Sequence, residues 1–170
     1  MSKKSFPNDW FNLPKDVLAD LGAMFFLSSF SPEHRKHSLG QVFYGFETPL
    51  RLKQYHIFRD REGYPRGFTT FAGLSPQVER KYAIDQEPLA PEDWTSGKSF
   101  WLIDFIMPFG QTAQVVKKLK SDLPYDRVRT NRIVGDMQTP RIAEWYRRND
   151  RTVGIKLYRP DEFERLSGED

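Results

Sequence analysis

One stretch limits the folds open to this chain more than any other. Phe100-Trp101-Leu102-Ile103-Asp104-Phe105-Ile106-Met107-Pro108-Phe109-Gly110 is a near-continuous apolar run with a single carboxylate at its centre. Bounded by Gly97 and by Pro108-Phe109-Gly110, it has the pattern of a central β-strand. Asp104 is then the residue to explain. A carboxylate among large apolar side chains carries a heavy desolvation cost unless something pairs with it, and such sites are where pKa values are pushed toward chemistry. The natural partner is a histidine, and the chain has three: His34, His37 and His56.

Around that strand the remaining segments read as a mixture of helices and strands. Residues 1–12 lack a clear period and read as a loosely docked N-terminal extension. From Pro14 to Ser29 the apolar positions Val17, Leu18, Leu21, Met24 and Phe25 recur at helical spacing, with Pro14 suited to a first turn. Ser31-Pro32 ends that helix, since proline disfavours helix at the residue before it. Tyr55–Arg59 and Arg66–Leu74 flank the turn-rich Asp60-Arg61-Glu62-Gly63-Tyr64-Pro65 as a hairpin. Ser75 to Ile84 reads as a short capped helix. Gln111 to Leu123 places Val115, Val116 and Leu119 on one face and is predicted helical. Arg127–Val134 and Thr152–Arg159 are predicted strands around a helix from Pro140 to Arg148. The order predicts one α/β domain over residues 1–170, an α+β sandwich with a central mixed sheet flanked by helices.

Composition narrows the chemistry. The 170 residues suffice for a core without staples, and the absence of cysteine excludes disulfides, thiolate metal sites and a cysteine nucleophile. No metal-ligand set is singled out. No apolar run approaches the ~20 residues that span a bilayer, and no apolar signal region follows Met1-Ser2-Lys3-Lys4-Ser5, so a soluble, cytoplasmic protein without stable membrane insertion is expected. A net charge of +3 suits an acidic partner but is too small to argue for nucleic acid. The fourteen phenylalanines are read first as core, with lining an apolar groove as the alternative use.

Two motifs together carry a resemblance. Ser31-Pro32-Glu33-His34-Arg35, and downstream Glu92-Asp93-Trp94-Thr95-Ser96-Gly97 followed by Ile103-Asp104-Phe105-Ile106-Met107-Pro108-Phe109-Gly110, resemble the bacterial RTX-toxin-activating lysine acyltransferases of the haemolysin-activating type. The longer motif has few ways of arising by chance, whereas Ser-Pro-x-His-Arg alone would be weak. The resemblance implies a GNAT-like acyltransferase fold, a second helical piece within Leu39–Leu52 ending near Arg51, and His34 and Asp104 as the catalytic pair. It also implies acyl carrier protein as donor partner, its acyl-phosphopantetheine serving as substrate with no cofactor bound permanently, and internal lysines of an RTX-type protoxin as acceptors. It leaves the oligomeric state open, a homodimer included. The segment from Gly135 to Pro140 is shorter than in typical toxin activators, which bears on the acceptor.

The residue types suit that chemistry. Acylating a lysine from a thioester requires a neutral amine, whereas the ammonium has a pKa of about 10.4 in solution. Neutral imidazole, with a pKa near 6.5, can take the proton or attack the thioester itself. A buried carboxylate would fix its tautomer and stabilise the imidazolium. Taken alone, His34 in a charged loop with Arg35, Lys36 and His37 would be an ordinary surface histidine, and Asp104 a buried carboxylate satisfied by backbone or arginine. His37 has no matching role, and His56 sits in a predicted strand where a histidine is ordinary.

Supporting residues follow with less force. Ser31 is suited to capping the His34 segment or to donating to a developing oxyanion. Trp94 and Trp101 either wall a groove or belong to the core. Gly97 and Gly110 are explained first by backbone geometry, although amides at the helix after Gly110 are also placed to bind a phosphate. The closely spaced glycines of a coenzyme A loop are missing, which favours a donor held through its carrier protein. Lys117, Lys118, Lys120, Arg127, Arg129 and Arg132 are the candidate basic surface for that carrier, against the plain alternative of solvated charge. The expected function is therefore an acyl-carrier-protein-dependent protein-lysine N-acyltransferase that activates a protoxin. The rivals are a coenzyme A or small-amine acyltransferase and a silent adaptor that binds carrier protein or toxin.

Overall fold

The computed structural model describes residues 13–110, 112, 113, 115, 116, 126–133, 140–149 and 152–167. The expected N-terminal extension, residues 1–12, and the expected carrier-binding Lys117, Lys118 and Lys120 lie outside the described residues.

Helix α1 (Lys15–Ser28) forms because Leu21, Met24 and Leu27 return every third residue and all three are buried. Pro14 stands at its N-cap instead of within the first turn. A 3₁₀ turn, His34–Lys36, joins it to α2 (Leu39–Leu52), whose start is fixed by a capping box. Ser38 Oγ accepts from the Gln41 amide at 3.3 Å, and the Ser38 amide donates to Gln41 Oε1 at 2.8 Å. The hairpin of β1 (Tyr55–Arg59) and β2 (Pro65–Leu74) closes around Asp60, whose Oδ1 accepts from the amides of Glu62 and Tyr64 at 3.0 and 2.9 Å. Helix α3 (Pro76–Ala83) is capped by the Ser75 hydroxyl. Then come β3 (Ser99–Ile106), β4 (Arg127–Ile133), β5 (Pro140–Asn149), β6 (Thr152–Tyr158) and α4 (Pro160–Ser167). Thr112, Ala113, Val115 and Val116 are helical, within the predicted Gln111–Leu123 helix.

The six strands form one sheet in the order β1-β2-β3-β4-β5-β6, antiparallel throughout except for the parallel pair β3/β4. This is the mixed-sheet α+β architecture of a GNAT-like acyltransferase. One prediction is corrected: Pro140–Arg148 is not a helix but most of β5. Ala143, Glu144 and the arginines favour a helix locally, yet pairing with β4 on one side and β6 on the other overrides that weak preference.

One face of the sheet carries two apolar clusters. Phe68 of β2 packs with Leu21, Met24, Leu27, Phe46 and Leu50 of α1 and α2, while Ala72, Leu74 and Trp101 pack with Ala83 of α3 and Phe163 of α4. Phe71, Phe100, Leu102, Phe105, Val128 and Trp145 form the cluster on the opposite face. Strand β3 does not alternate cleanly between the two. Thr69 pairs with Phe105 and Phe71 with Leu102, so Thr70 alone faces both Ile103 and Asp104 across a β-bulge. Without the bulge, Asp104 would share a face with Phe100 and Leu102. The extra residue returns it to the face of Trp101 and Ile103, beneath the helices.

Candidate active site

The short connection between α1 and α2 holds His34 over the sheet. Ser31-Pro32 ends α1, the amide of Arg35 donates to Ser31 O at 3.1 Å, that of His37 donates to His34 O at 3.1 Å, and the capping box at Ser38 starts the next helix. Each end of the loop is thus tied to backbone or cap, and the imidazole is directed at the bulge in β3. Its Nε2 lies 3.5 Å from Asp104 Oδ1, with the two side chains 17% and 20% exposed. The separation is at the loose end for a charge-assisted contact, as is common for catalytic pairs without substrate. On the other side of the ring, Nδ1 lies 3.0 Å from Ser31 Oγ.

These contacts select a tautomer. A proton on Nε2 faces the Asp104 carboxylate favourably, which leaves the Nδ1 lone pair to accept from the Ser31 hydroxyl. The opposite tautomer would set a lone pair against an anion. The carboxylate itself is fixed by Thr70, whose hydroxyl donates to Asp104 Oδ2 at 2.5 Å while the same oxygen accepts from the Asp104 amide at 3.0 Å. Thr69 adds a third tie by donating to the Asp104 carbonyl at 2.7 Å. The Asp104 charge is felt at Tyr82, whose phenol is held well above its ordinary value by burial first and by that charge second. Phe46 of α2 backs the imidazole, its ring centroid 5.9 Å away and tilted by 30°.

The pair opens into a cleft of about 740 Å³ lined by α2 and the loop before it, with Pro88 also at its margin. Among the described residues its titratable lining groups are His34, His37, Tyr44 and Asp104, with no lysine or arginine. The arrangement can orient an imidazole, take a proton at Nδ1 and stabilise the resulting imidazolium, the division of labour of a hydrolytic triad.

Other candidate residues are placed elsewhere. Ser31 does not cap the His34 turn through its side chain; Glu33 is the N-cap and Ser31 contacts the imidazole instead. Trp94 is not a groove wall but lies in the core with Ala72, Leu74 and Trp101. The Glu92-to-Gly97 motif around it builds the corner ahead of β3, where Ser96 Oγ accepts from the Ser75 amide at 2.9 Å. Gly97 is dictated by close approach, since a Cβ there would lie 2.4 Å from Leu74 O. Gly110 has φ +84° in the turn after β3. Gln111, which follows it, lies outside the described residues.

Arg129 is corrected as well. It points into the protein, with Nη1 2.5 Å from Glu79 Oε1 and Nε 2.8 Å from Glu144 Oε2. Burial works against its charge, but the two carboxylates outweigh that and raise its pKa above the ordinary guanidinium value. It has no free charge to offer a partner. Arg127 and Arg132 are exposed, Arg132 toward the Asp104 end of the sheet and Arg127 toward the other.

Sequence reading missed Thr70 and Phe46. The sole trace of Thr70 is a threonine pair, Thr69-Thr70, inside an otherwise apolar strand; Phe46 is indistinguishable from the other core phenylalanines.

A sequence model of the RTX toxin acyltransferase family matches residues 13–146. The chain is 32% identical over 148 residues to the RTX-I toxin-activating lysine-acyltransferase ApxIC of Actinobacillus pleuropneumoniae, covering 86% of each chain. It is 31% identical over 148 residues to the leukotoxin-activating lysine-acyltransferase LtxC of Aggregatibacter actinomycetemcomitans, covering 86% of this chain and 88% of that one. It is 28% identical over 149 residues to a protein-lysine myristoyltransferase, HlyC, of Escherichia coli, covering 87% and 85%. Both motifs that hold His34 and Asp104 lie inside the matched span.

Proposed function

The chain belongs to the RTX toxin acyltransferase family, and from that premise we propose that it transfers a fatty acyl group from acyl carrier protein to the ε-amino group of internal lysines in an RTX-type protoxin, with His34 and Asp104 as the catalytic pair. The observation that carries the reading is the imidazole of His34 set 3.5 Å from a bulge-mounted carboxylate at the mouth of a cleft.

In the proposed reaction the neutral lysine nitrogen attacks the thioester carbonyl carbon and forms the new C–N bond. The proton it sheds passes to His34 Nδ1, directly or through the Ser31 hydroxyl. Collapse of the tetrahedral intermediate breaks the C–S bond, and the imidazolium returns the proton to the departing phosphopantetheine thiolate. Amide and thiol are the products, and the imidazole is regenerated. Asp104, locked by Thr70, stabilises the imidazolium at the point where positive charge develops. Among the described residues no lysine or arginine lines the cleft, and a donor whose phosphate is held outside it by a carrier protein fits that lining. A carrier-protein donor places the reaction in the cytoplasm, before the toxin is exported. Among the described residues no helix is long and apolar enough to cross a membrane.

The test is single-turnover transfer to an RTX acceptor, read by intact mass, with the acyl group presented on acyl carrier protein or on coenzyme A. The reading expects a lysine adduct from the carrier-protein donor, slower transfer from coenzyme A, and a loss of about 10²–10⁴-fold in His34→Ala. Equal transfer from coenzyme A would overturn the donor assignment. Transfer that persists in His34→Ala would overturn the pair, and no transfer by wild type would leave the adaptor reading in its place.

A further inference from the structure

The cleft beside the pair has a bare spot in its wall that the fold does not require. Ser38, Gln41, Val42 and Gly45 all line it, and their spacing puts them on one face of α2 and its cap. Three of these positions carry side chains and Gly45 carries none; Gly40, in the first turn of α2, is a second bare lining position. Gly45 immediately precedes Phe46, the ring that backs His34, so the gap opens on the same cleft as the pair.

Nothing among the described residues calls for glycine there. A Cβ built on Gly45 meets no atom of the described residues within 4 Å, and the residue is not among those with positive φ. Gly97, by contrast, would collide with Leu74, and Gly154 with the Tyr146 ring. An interior helix glycine costs roughly 0.8–1.0 kcal/mol relative to alanine, so α2 bears a penalty that neither packing nor backbone geometry explains. The space that a side chain would occupy belongs to the cleft.

We propose that Gly45 sets the length of acyl chain this enzyme accepts, its bare backbone leaving room for a straight hydrocarbon chain to run along α2 away from His34. This inference rests on the acyltransferase reading above. The cleft suits such an occupant. Its volume of about 740 Å³ is in the range of small-molecule pockets, roughly 300–1,000 Å³. Val42, Tyr44, Phe46 and Pro88 supply apolar surface, and among the described residues no lysine or arginine is present in the lining to hold a phosphate. A side chain at Gly45 would obstruct a chain long enough to pass it and leave shorter chains unaffected.

The experiment measures kcat/KM for straight-chain acyl groups from octanoyl to octadecanoyl on acyl carrier protein. It compares wild type, Gly45→Ala, Gly45→Leu and Gly22→Ala. Gly22, in α1, also has open space around a built Cβ among the described residues and is not a lining residue of the cleft, so its replacement controls for helix stabilisation alone. Gly45→Leu is expected to lose about 10-fold or more on the longest chains relative to the shortest. Gly45→Ala should shift the profile less in the same direction, and Gly22→Ala should keep the wild-type profile. A Gly45→Leu profile parallel to wild type, whether at full rate or uniformly lowered, would overturn the inference while leaving the transferase reading intact. A wild type that transfers no acyl group of any length would overturn the transferase reading and this inference with it.

Discussion

Trp101 and Asp104 stand on one strand and face the same layer of helices, yet their surroundings are opposite in kind. At Trp101 the polar groups are closed. Glu79 accepts from the Trp101 indole at 2.7 Å, from Arg129 and from the Ser99 hydroxyl, while Glu144 accepts from Arg129 and from the Tyr158 hydroxyl at 3.3 Å. The Arg129 guanidinium also lies over the Phe163 ring, 5.1 Å from its centroid. At Asp104 the same strand bulges, its parallel pairing with β4 has ended at Leu102↔Thr130, and one carboxylate oxygen faces an imidazole beside a cleft. Regular pairing lets a buried charge cluster be saturated by donors and serve as a brace. The bulge leaves one charge that, among the described residues, a single threonine holds and a single imidazole faces, available to a reacting group.

The sharpest way to break that contrast is to remove the charge at each place. Asp104→Asn keeps an acceptor for the Thr70 hydroxyl, so thermal unfolding should move little, while single-turnover transfer should fall about 10³–10⁴-fold because the imidazolium loses its counter-charge. Arg129→Met should do the reverse. It strands two buried carboxylates and should cost about 3–5 kcal/mol in denaturant unfolding, with transfer by the remaining folded protein near wild type at low temperature. If Asp104→Asn proves as destabilising as Arg129→Met, Asp104 is a brace too and the contrast fails.

The sequence made one side of this contrast easier to see than the other. Asp104 stood out because a lone carboxylate in an apolar run is costly. Its face did not, because a bulge is a property of two strands in register and leaves no mark on either alone. Arg129 reads as surface charge for a related reason: its partners, Glu79 on α3 and Glu144 on β5, are brought to it only by the sheet, and the segment of β5 itself reads as a helix in the sequence. Helices α1 and α3 and the first hairpin are legible since their signals are local, namely a period, a capping serine and a turn with Asp60, Gly63 and Pro65. The His34–Asp104 pairing was inferred from resemblance, and spacing alone would never have supplied it.

A smaller effect tests whether the threonine is what holds the unsaturated charge. Thr70→Val keeps shape and removes both the hydroxyl donor to Asp104 Oδ2 and the acceptor for the Asp104 amide. Stability should fall by about 1–2 kcal/mol, measured by urea unfolding, and transfer by about 10-fold as the carboxylate loses its fixed orientation. Thr70→Ser, which keeps the hydroxyl, should restore most of the transfer. Equal transfer by the valine and serine variants would mean that the bulge alone positions Asp104.

The smallest effect belongs to the anchor that keeps α1 against the sheet on the open side. Tyr55 donates to Asp20 Oδ2 at 3.0 Å, and Arg59 reaches Asp20 Oδ1 at 2.6 Å, so β1 holds the helix that leads into the His34 loop. Burial first, then the hydrogen bond and charge of Asp20, push the Tyr55 phenol up to about 12 from its ordinary value near 10. The folded state therefore holds its proton where the unfolded chain has released it. The contribution is whole below about pH 10 and is lost as pH rises from about 10 to about 12. Urea unfolding across that window should show wild type losing stability more steeply than Tyr55→Phe, which has no phenol to titrate. Transfer at neutral pH should be nearly the same in both, because Arg59 still holds Asp20. Parallel pH profiles would mean that the phenol titrates alike in folded and unfolded chains and that the Arg59–Asp20 pair alone fastens α1 to the sheet.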